Sequence, residues 1–182
     1  MEIYTLEKLQ DYIAKGKKIN YLYFWGHQEK GSTVTKSCFS QWYQSSFEHN
    51  DVFYLTAEHY MMAEKARLFK DNVALKKILT SKNPGAAKAA GRDVQNFDPE
   101  LWLEKRFEIV VTGNLLKFET PTLRDFLLNT GNKVLIEASP VDKIWGIGMA
   151  EDNALISNPY KWKGLNLLGF ALMKVRAKII HA

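Results

Sequence analysis

Two charged side chains stand where a helix should be apolar. The stretch TAEHYMMAEKARLFKD, residues 56–71, opens on Thr56, a good helix N-cap. Wound at 3.6 residues per turn, it places Met61, Met62, Lys65 and Phe69 within roughly 60° of Glu58. Glu64 and Arg67 fall on the far side, where solvated charges belong. A charge on an apolar face is costly unless it is paired. Structural ion pairs, or long side chains reaching past the methionines to water, would explain it. So would a cavity. Glu58 and Lys65 are two turns apart, about 10.5 Å of rise, too far to pair easily with each other. Glu58 also lies in the first helical turn, where the dipole favours an ionised carboxylate. A carboxylate in such a place can stabilise a developing cation or activate water. A lysine in apolar surroundings has a lowered pKa and can serve as a nucleophile.

A second mixed stretch is EASPVDKIWGIGM, residues 137–149. Ser139 followed by Pro140 reads as a helix N-cap and first helical residue. Asp142 then falls where a carboxylate can reach back to the cap, and one turn of helix sets Trp145 beside it. Gly146 and Gly148 permit a sharp turn or a close backbone approach to a ligand. Capping alone would explain Asp142. A strand ending in Glu137, then a turn carrying a carboxylate and an indole, would equally form the rim of a pocket. There Asp142 could bind a sugar hydroxyl or water, and Trp145 could stack on a heterocycle.

The elements that must hold these residues are mostly helices. Residues 5–15 carry Leu6, Leu9, Tyr12 and Ile13 on one face. INYLYFWG, ending at Gly26, and KVLIEAS around Val134 read as strands, and HQEKGSTV as a turn-like connection. Helices are expected at about Asn72 to Leu79, then after Asn83-Pro84 with Gly91 as stop. Two more follow Asp98-Pro99 and Thr120-Pro121, the latter stopping at Gly131. KGLNLLGFALMKVRAKII is apolar on most sides and should be a central helix. There is no repeat, linker or low-complexity segment. The expectation is one α+β domain over residues 1–182, mostly helical, with a small sheet from the Tyr21 and Val134 regions.

Composition narrows the function classes. The 182 residues are 46% hydrophobic, 25% charged and 13% aromatic, values that suit a globular protein with a sizeable core. The net charge is +5, and its excess is spread along the chain, which permits a phosphorylated ligand without demanding a nucleic acid. The single cysteine, Cys38, excludes an internal disulfide and is expected to be a buried structural thiol in a reducing compartment. The N-terminus lacks the apolar core of a signal peptide, and no segment reaches membrane-spanning length, so a cytoplasmic location without membrane attachment is expected. His27, His49, His59 and His181 show no metal-ligand spacing. Phosphate-binding glycine loops and nucleophile elbows are absent.

The motifs CFSQWY, LTAEHYMMAEKA, NPGAAKAAGR, LWLEKRFEIV, LLKF, LRDFLLNTGNKVLIEASPVDKIWGIGM and WKGLNLLGFALMKVR resemble, in content and order, the NADAR or YbiA-like family from Phe24 to Arg176. The resemblance implies a YbiA-like fold and an N-glycosidase. Members cleave the C1′–N bond of phosphorylated ribosylamino-pyrimidine intermediates of riboflavin biosynthesis, a disposal of reactive metabolites, without metal or cofactor. Others act on ADP-ribose linkages, including ADP-ribose on guanine. Carried over residue by residue, Glu58 and Lys65 are the charged members of one motif, and Asp142 and Trp145 the polar and aromatic members of the other. The family usually reads Cys-Leu-Ser-Asn-Phe where this chain has Cys38-Phe39-Ser40-Gln41-Trp42. If the Gln41 amide, longer by a methylene, touches substrate, preference would shift.

Breaking a C1′–N bond develops oxocarbenium character on the ribose. Glu58 and Asp142 are the candidate carboxylates. Lys65 is a candidate for a Schiff base at C1′, for protonating the leaving group or for binding phosphate. Trp145, with Trp42 and Trp102, would stack on the base, and Ser40, Gln41 and Glu137 complete the substrate-binding set. The expected partner is a small ribosylated, phosphorylated molecule. ADP-ribosylated nucleic acid is the alternative partner, which an ADP-ribosyl glycohydrolase would act on. A module that only binds ADP-ribose or a nucleotide is the third reading, and a helical domain with structural ion pairs the fourth. Arg67, Lys117 and Arg176 could contact phosphate, though surface solvation is the default for such residues.

Overall fold

The computed structural model describes residues 2–28, 31 and 33–181. The expected turn-like connection at residues 27–34 therefore lies in part outside the described residues. Among the described residues, seven α-helices and four short strands are formed: α1 (Leu6–Ala14), β1 (Tyr21–Phe24), β2 (Phe47–His49), β3 (Val52–Tyr54), α2 (Ala57–Leu68), α3 (Asn72–Leu79), α4 (Pro84–Arg92), α5 (Pro99–Lys117), α6 (Pro121–Leu128), β4 (Val134–Glu137) and α7 (Leu167–Ile180). The class is α+β and mostly helical, as the pattern implies. The helices start where the capping residues stand. The side chains of Thr5, Thr56, Asp71, Asn83 and Asp98 each accept a hydrogen bond from a backbone N–H of the first turn, which satisfies donors that the helix itself leaves open. Gly91 does not stop α4, which runs on to Arg92. The reason is packing: a Cβ at Gly91 would lie 2.1 Å from Met62 Sδ.

The chain divides into two compact units, residues 40–121 and the remainder. In the remainder, β1 and β4 pair in parallel with Tyr21 opposite Val134 and Phe24 opposite Glu137, which is the sheet expected from those two regions. Helix α7 packs on β4 and is buried along Leu168, Phe170, Ala171, Leu172, Met173 and Val175. Val134, Leu135 and Ile136 are fully buried, as parallel strands covered by helices should be. The far edge of β4 meets a side chain instead of a strand. Asn166 Oδ1 accepts from Glu137 N–H, and Asn166 Nδ2 donates to the Leu135 carbonyl, each at 2.9 Å.

In residues 40–121, β2 and β3 form an antiparallel hairpin. Its turn residues Asn50 and Asp51 both have positive φ, 51° and 61°, the geometry of a primed two-residue turn. Helices α3, α4 and α5 pack on α2. Gly113 of α5 lets the Tyr60 ring approach: a Cβ there would meet Tyr60 at 2.6 Å.

Candidate active site

Helix α2 is not a simple amphipathic helix. Ala57 to Ala63 are all buried, so the first half has no solvated face. Glu58 is 2% exposed, and its backbone N–H donates to the Gln41 carbonyl at 3.0 Å. That bond fastens the loop Ser40–Gln41–Trp42 to the start of the helix. Ser40 Oγ accepts from Trp42 N–H at 3.1 Å, and the Ser40 carbonyl accepts from Lys117 Nζ at 2.7 Å. Gln41 turns its side chain inward, where Oε1 accepts from Asn114 Nδ2 at 2.8 Å. Asn114 Nδ2 also donates to the Val110 carbonyl, and this fixes both amide orientations. Asn114 Oδ1 and Gln41 Nε2 are left buried without a hydrogen-bond partner among the described residues. Spare hydrogen-bonding capacity of this kind in a buried site calls for a water or a polar ligand.

Lys65 belongs to a second group, two turns further along α2. Its Nζ donates to the Gly91 carbonyl at 2.7 Å and lies 4.4 Å from the Phe97 ring centre and 5.7 Å from that of Trp102. Burial pushes its pKa down from the ordinary lysine value. Glu64 and Arg67, on the other side, pair with each other. Trp42 lies against the start of α4, where a Cβ at Gly85 would touch the indole at 3.6 Å, with Lys88 Nζ 5.8 Å from its ring centre.

The third group is Glu137, Asp142 and Trp145. The expected helical turn after Ser139-Pro140 does not form, and residues 138–150 are irregular. Side-chain oxygens organise them instead. Ser139 Oγ accepts from Asp142 N–H, while Asp142 Oδ1 accepts from Ile144 N–H at 2.8 Å and Trp145 N–H at 2.7 Å. Asp142 thus acts as an Asx-type cap for two amides, and its Oδ2 makes no hydrogen bond among the described residues. The two glycines serve the chain's own backbone. A Cβ at Gly146 would lie 2.9 Å from the Glu137 carbonyl oxygen, and Gly148 has φ +65°. The loop is then laced to residues 163–168: Lys163, Leu165 and Asn166 N–H groups donate to the carbonyls of Ile147, Lys143 and Gly146.

Three polar residues of α5 escaped the sequence reading as site candidates or were placed at the surface. Arg106, Asn114 and Lys117 are 8%, 0% and 0% exposed. With Val110 and Gly113 they form the buried stripe of the helix, inside an arc of roughly 100°. A helical wheel does not single them out, because α5 carries polar and apolar residues on every face. Arg176 is also buried, held by Thr130 Oγ1 and the Lys133 carbonyl. The same is true of His59, whose Nε2–H donates to the Ser81 carbonyl while Nδ1 accepts from Thr56 Oγ1. Cys38 is a buried thiol. Among the described residues no group of three or more His, Cys, Asp or Glu is placed to hold a metal ion. No helix among them is long and apolar enough to cross a membrane.

Similarity to known proteins identifies the family and the fold. N-glycosidase R617 of Acanthamoeba polyphaga mimivirus is 44% identical over 162 residues, 86% of this chain and 94% of the viral protein. N-glycosidase Npun_R5314 of Nostoc punctiforme is 33% identical, over 78% of this chain and 85% of its own length. The maize chloroplastic riboflavin biosynthesis protein PYRR is 34% identical over 73% of this chain, which corresponds to 21% of that longer protein. The solved NMR structure of Escherichia coli YbiA superposes with a TM-score of 0.72 at 23% identity, covering 91% of this chain and 88% of YbiA, so the fold is that of YbiA. The NADAR domain model matches residues 23–180, and the chain belongs to the NADAR family.

Proposed function

We propose that the chain hydrolyses the C1′–N bond of a ribosylated base, its substrate being a phosphorylated ribosylamino-pyrimidine of riboflavin biosynthesis. The observation that carries this reading is Glu58: a carboxylate 2% exposed, in the first turn of a helix, joined through its backbone to a loop of polar and aromatic residues. The names of the viral and cyanobacterial relatives support N-glycosidase activity, and that of the maize relative supports the riboflavin connection.

Departure of the base leaves positive charge on C1′ and O4′ of the ribose. Glu58 is assigned to stabilise that charge, an anion held in place before the reaction and so costing no reorganisation when the bond breaks. Asp142 keeps Oδ2 for a water or a sugar hydroxyl while Oδ1 stays anchored to two amides. Lys65, whose ammonium meets one carbonyl and two aromatic rings, is assigned to the phosphate of the substrate. Trp42 and Trp145 are assigned to stack on the base.

The test is release of free pyrimidine from the ribosylamino-pyrimidine phosphate, followed by mass spectrometry in the presence of chelator. Wild-type protein should release it, and folded Glu58→Gln should be slower by roughly 100-fold or more. Release only of ADP-ribose, from guanine-ADP-ribosylated DNA in a parallel reaction, would replace this reading with an ADP-ribosylation eraser. No release from either would sink the activity.

A further inference from the structure

Arg106 is 8% exposed, yet among the described residues its guanidinium makes no hydrogen bond and no ion pair. Burial alone acts on it, lowering its pKa, and no carboxylate offsets that cost. Its nitrogens are not among the fully buried polar atoms, so the fork is open to a ligand, and a guanidinium's five donors suit carboxylate, carbonyl or phosphate oxygens. Lys65 is half-buried and also lacks a carboxylate partner. Its ammonium has a single carbonyl and two aromatic rings around it, and no carboxylate. The two cations border one indole: Lys65 Nζ lies 5.7 Å from the Trp102 ring centre, and Arg106 follows Trp102 by one turn of α5. Arg106, with no anion of the protein's own, and the half-buried Lys65 border the same indole, so a negative ligand there would offset the cost of their desolvation.

We propose that Arg106, with Lys65, forms a subsite that takes the phosphoryl oxygens of the substrate beside Trp102. Arginine suits this role because its planar fork can meet two phosphoryl oxygens at once. The identity of the substrate rests on the N-glycosidase reading, but the subsite does not require turnover to be seen.

The experiment is calorimetric titration of the protein with ribose 5-phosphate, ribose and ADP-ribose, for wild type, Arg106→Gln and Arg106→Met. Wild type should bind ribose 5-phosphate in preference to ribose, and Arg106→Gln should weaken that binding by roughly 10- to 100-fold. A stronger effect on ADP-ribose than on ribose 5-phosphate would show that the subsite takes a diphosphate. In kinetics, Arg106→Gln should lower kcat/KM for the phosphorylated ribosylamino-pyrimidine and leave the dephosphorylated compound unaffected. Arg106→Met should keep or raise Tm without ligand, because it removes an unpaired buried cation. Unchanged ribose 5-phosphate affinity in Arg106→Gln, equal loss on both kinetic substrates, or a marked fall in Tm for Arg106→Met would each overturn the proposal. Arginine-dependent phosphate binding without cleavage of any N-glycoside would uphold the subsite and refute the activity.

Discussion

At the scale of single residues, Asp142 has a structural role that the hydrogen bonds show and a chemical one that is proposed. Its Oδ1 caps Ile144 and Trp145, and its charge is the part assigned to catalysis. Asp142→Asn keeps the capping oxygen and removes the charge. It should leave Tm nearly unchanged and lower kcat by roughly 100-fold. Asp142→Ala should also lose about 1 kcal/mol of stability with the cap. Full activity in the asparagine variant would remove Asp142 from the mechanism. His59 gives a pH-dependent counterpart. Burial lowers its pKa from the ordinary value of 6.5, and the neutral ring bridges Thr56 and the Ser81 carbonyl. Between the native pKa and 6.5 the unfolded chain holds more protons, so stability is complete above that window and falls as pH drops through it. The difference in Tm between pH 7.5 and pH 5 should therefore shrink in His59→Gln. An unchanged difference would place the acid sensitivity elsewhere.

At the scale of elements, the β4–α7 junction shows how closely backbone and side chain are matched. Asn166 stands in for a neighbouring strand, and Gly169 sits where a Cβ would fall 2.1 Å from the Leu135 carbonyl oxygen. Gly169→Ala must push α7 off the strand, at a cost of about 3 kcal/mol. Asn166→Ala leaves a buried N–H and a buried carbonyl without partners and should cost about 2–4 kcal/mol. Urea unfolding would register both, and a shift below about 1 kcal/mol in either would contradict the junction's role. Elements whose grammar is local were legible in sequence: α3 spans the expected residues, α5 begins at Asp98-Pro99, and the aromatic and β-branched runs at Tyr21 and Val134 do pair. The turn after Ser139 was not legible. Its Ser-Pro signal is helical, but Ile147 and Lys163 to Leu168 form backbone bonds across sequence that no local rule weighs. Glu58 was legible because the wheel was drawn for its helix. Arg106, Asn114 and Lys117 stayed hidden because α5 mixes polar and apolar residues on every face, and only packing shows which face is buried.

For the whole molecule, the question is which class of substrate a chain with net charge +5 serves. The charge is mild, 25 basic against 20 acidic residues, and much of the chemistry-bearing basic character is internal: Arg106, Lys117 and Arg176 are all buried. Buried cations can meet a phosphoryl group that enters a pocket but cannot track the backbone of a duplex. Salt separates the two cases. A protein that displaces counterions from 6–10 nucleic-acid phosphates loses roughly 10³- to 10⁵-fold in affinity between 50 and 200 mM salt. A single phosphomonoester held by withdrawn cations is screened far less. The KM for the ribosylamino-pyrimidine phosphate should therefore change by less than about threefold over that range. A steep, power-law loss of activity with salt would instead mark an extended polyanion as the natural substrate, and would move the search for contacts from the stripe of α5 to the exposed lysines.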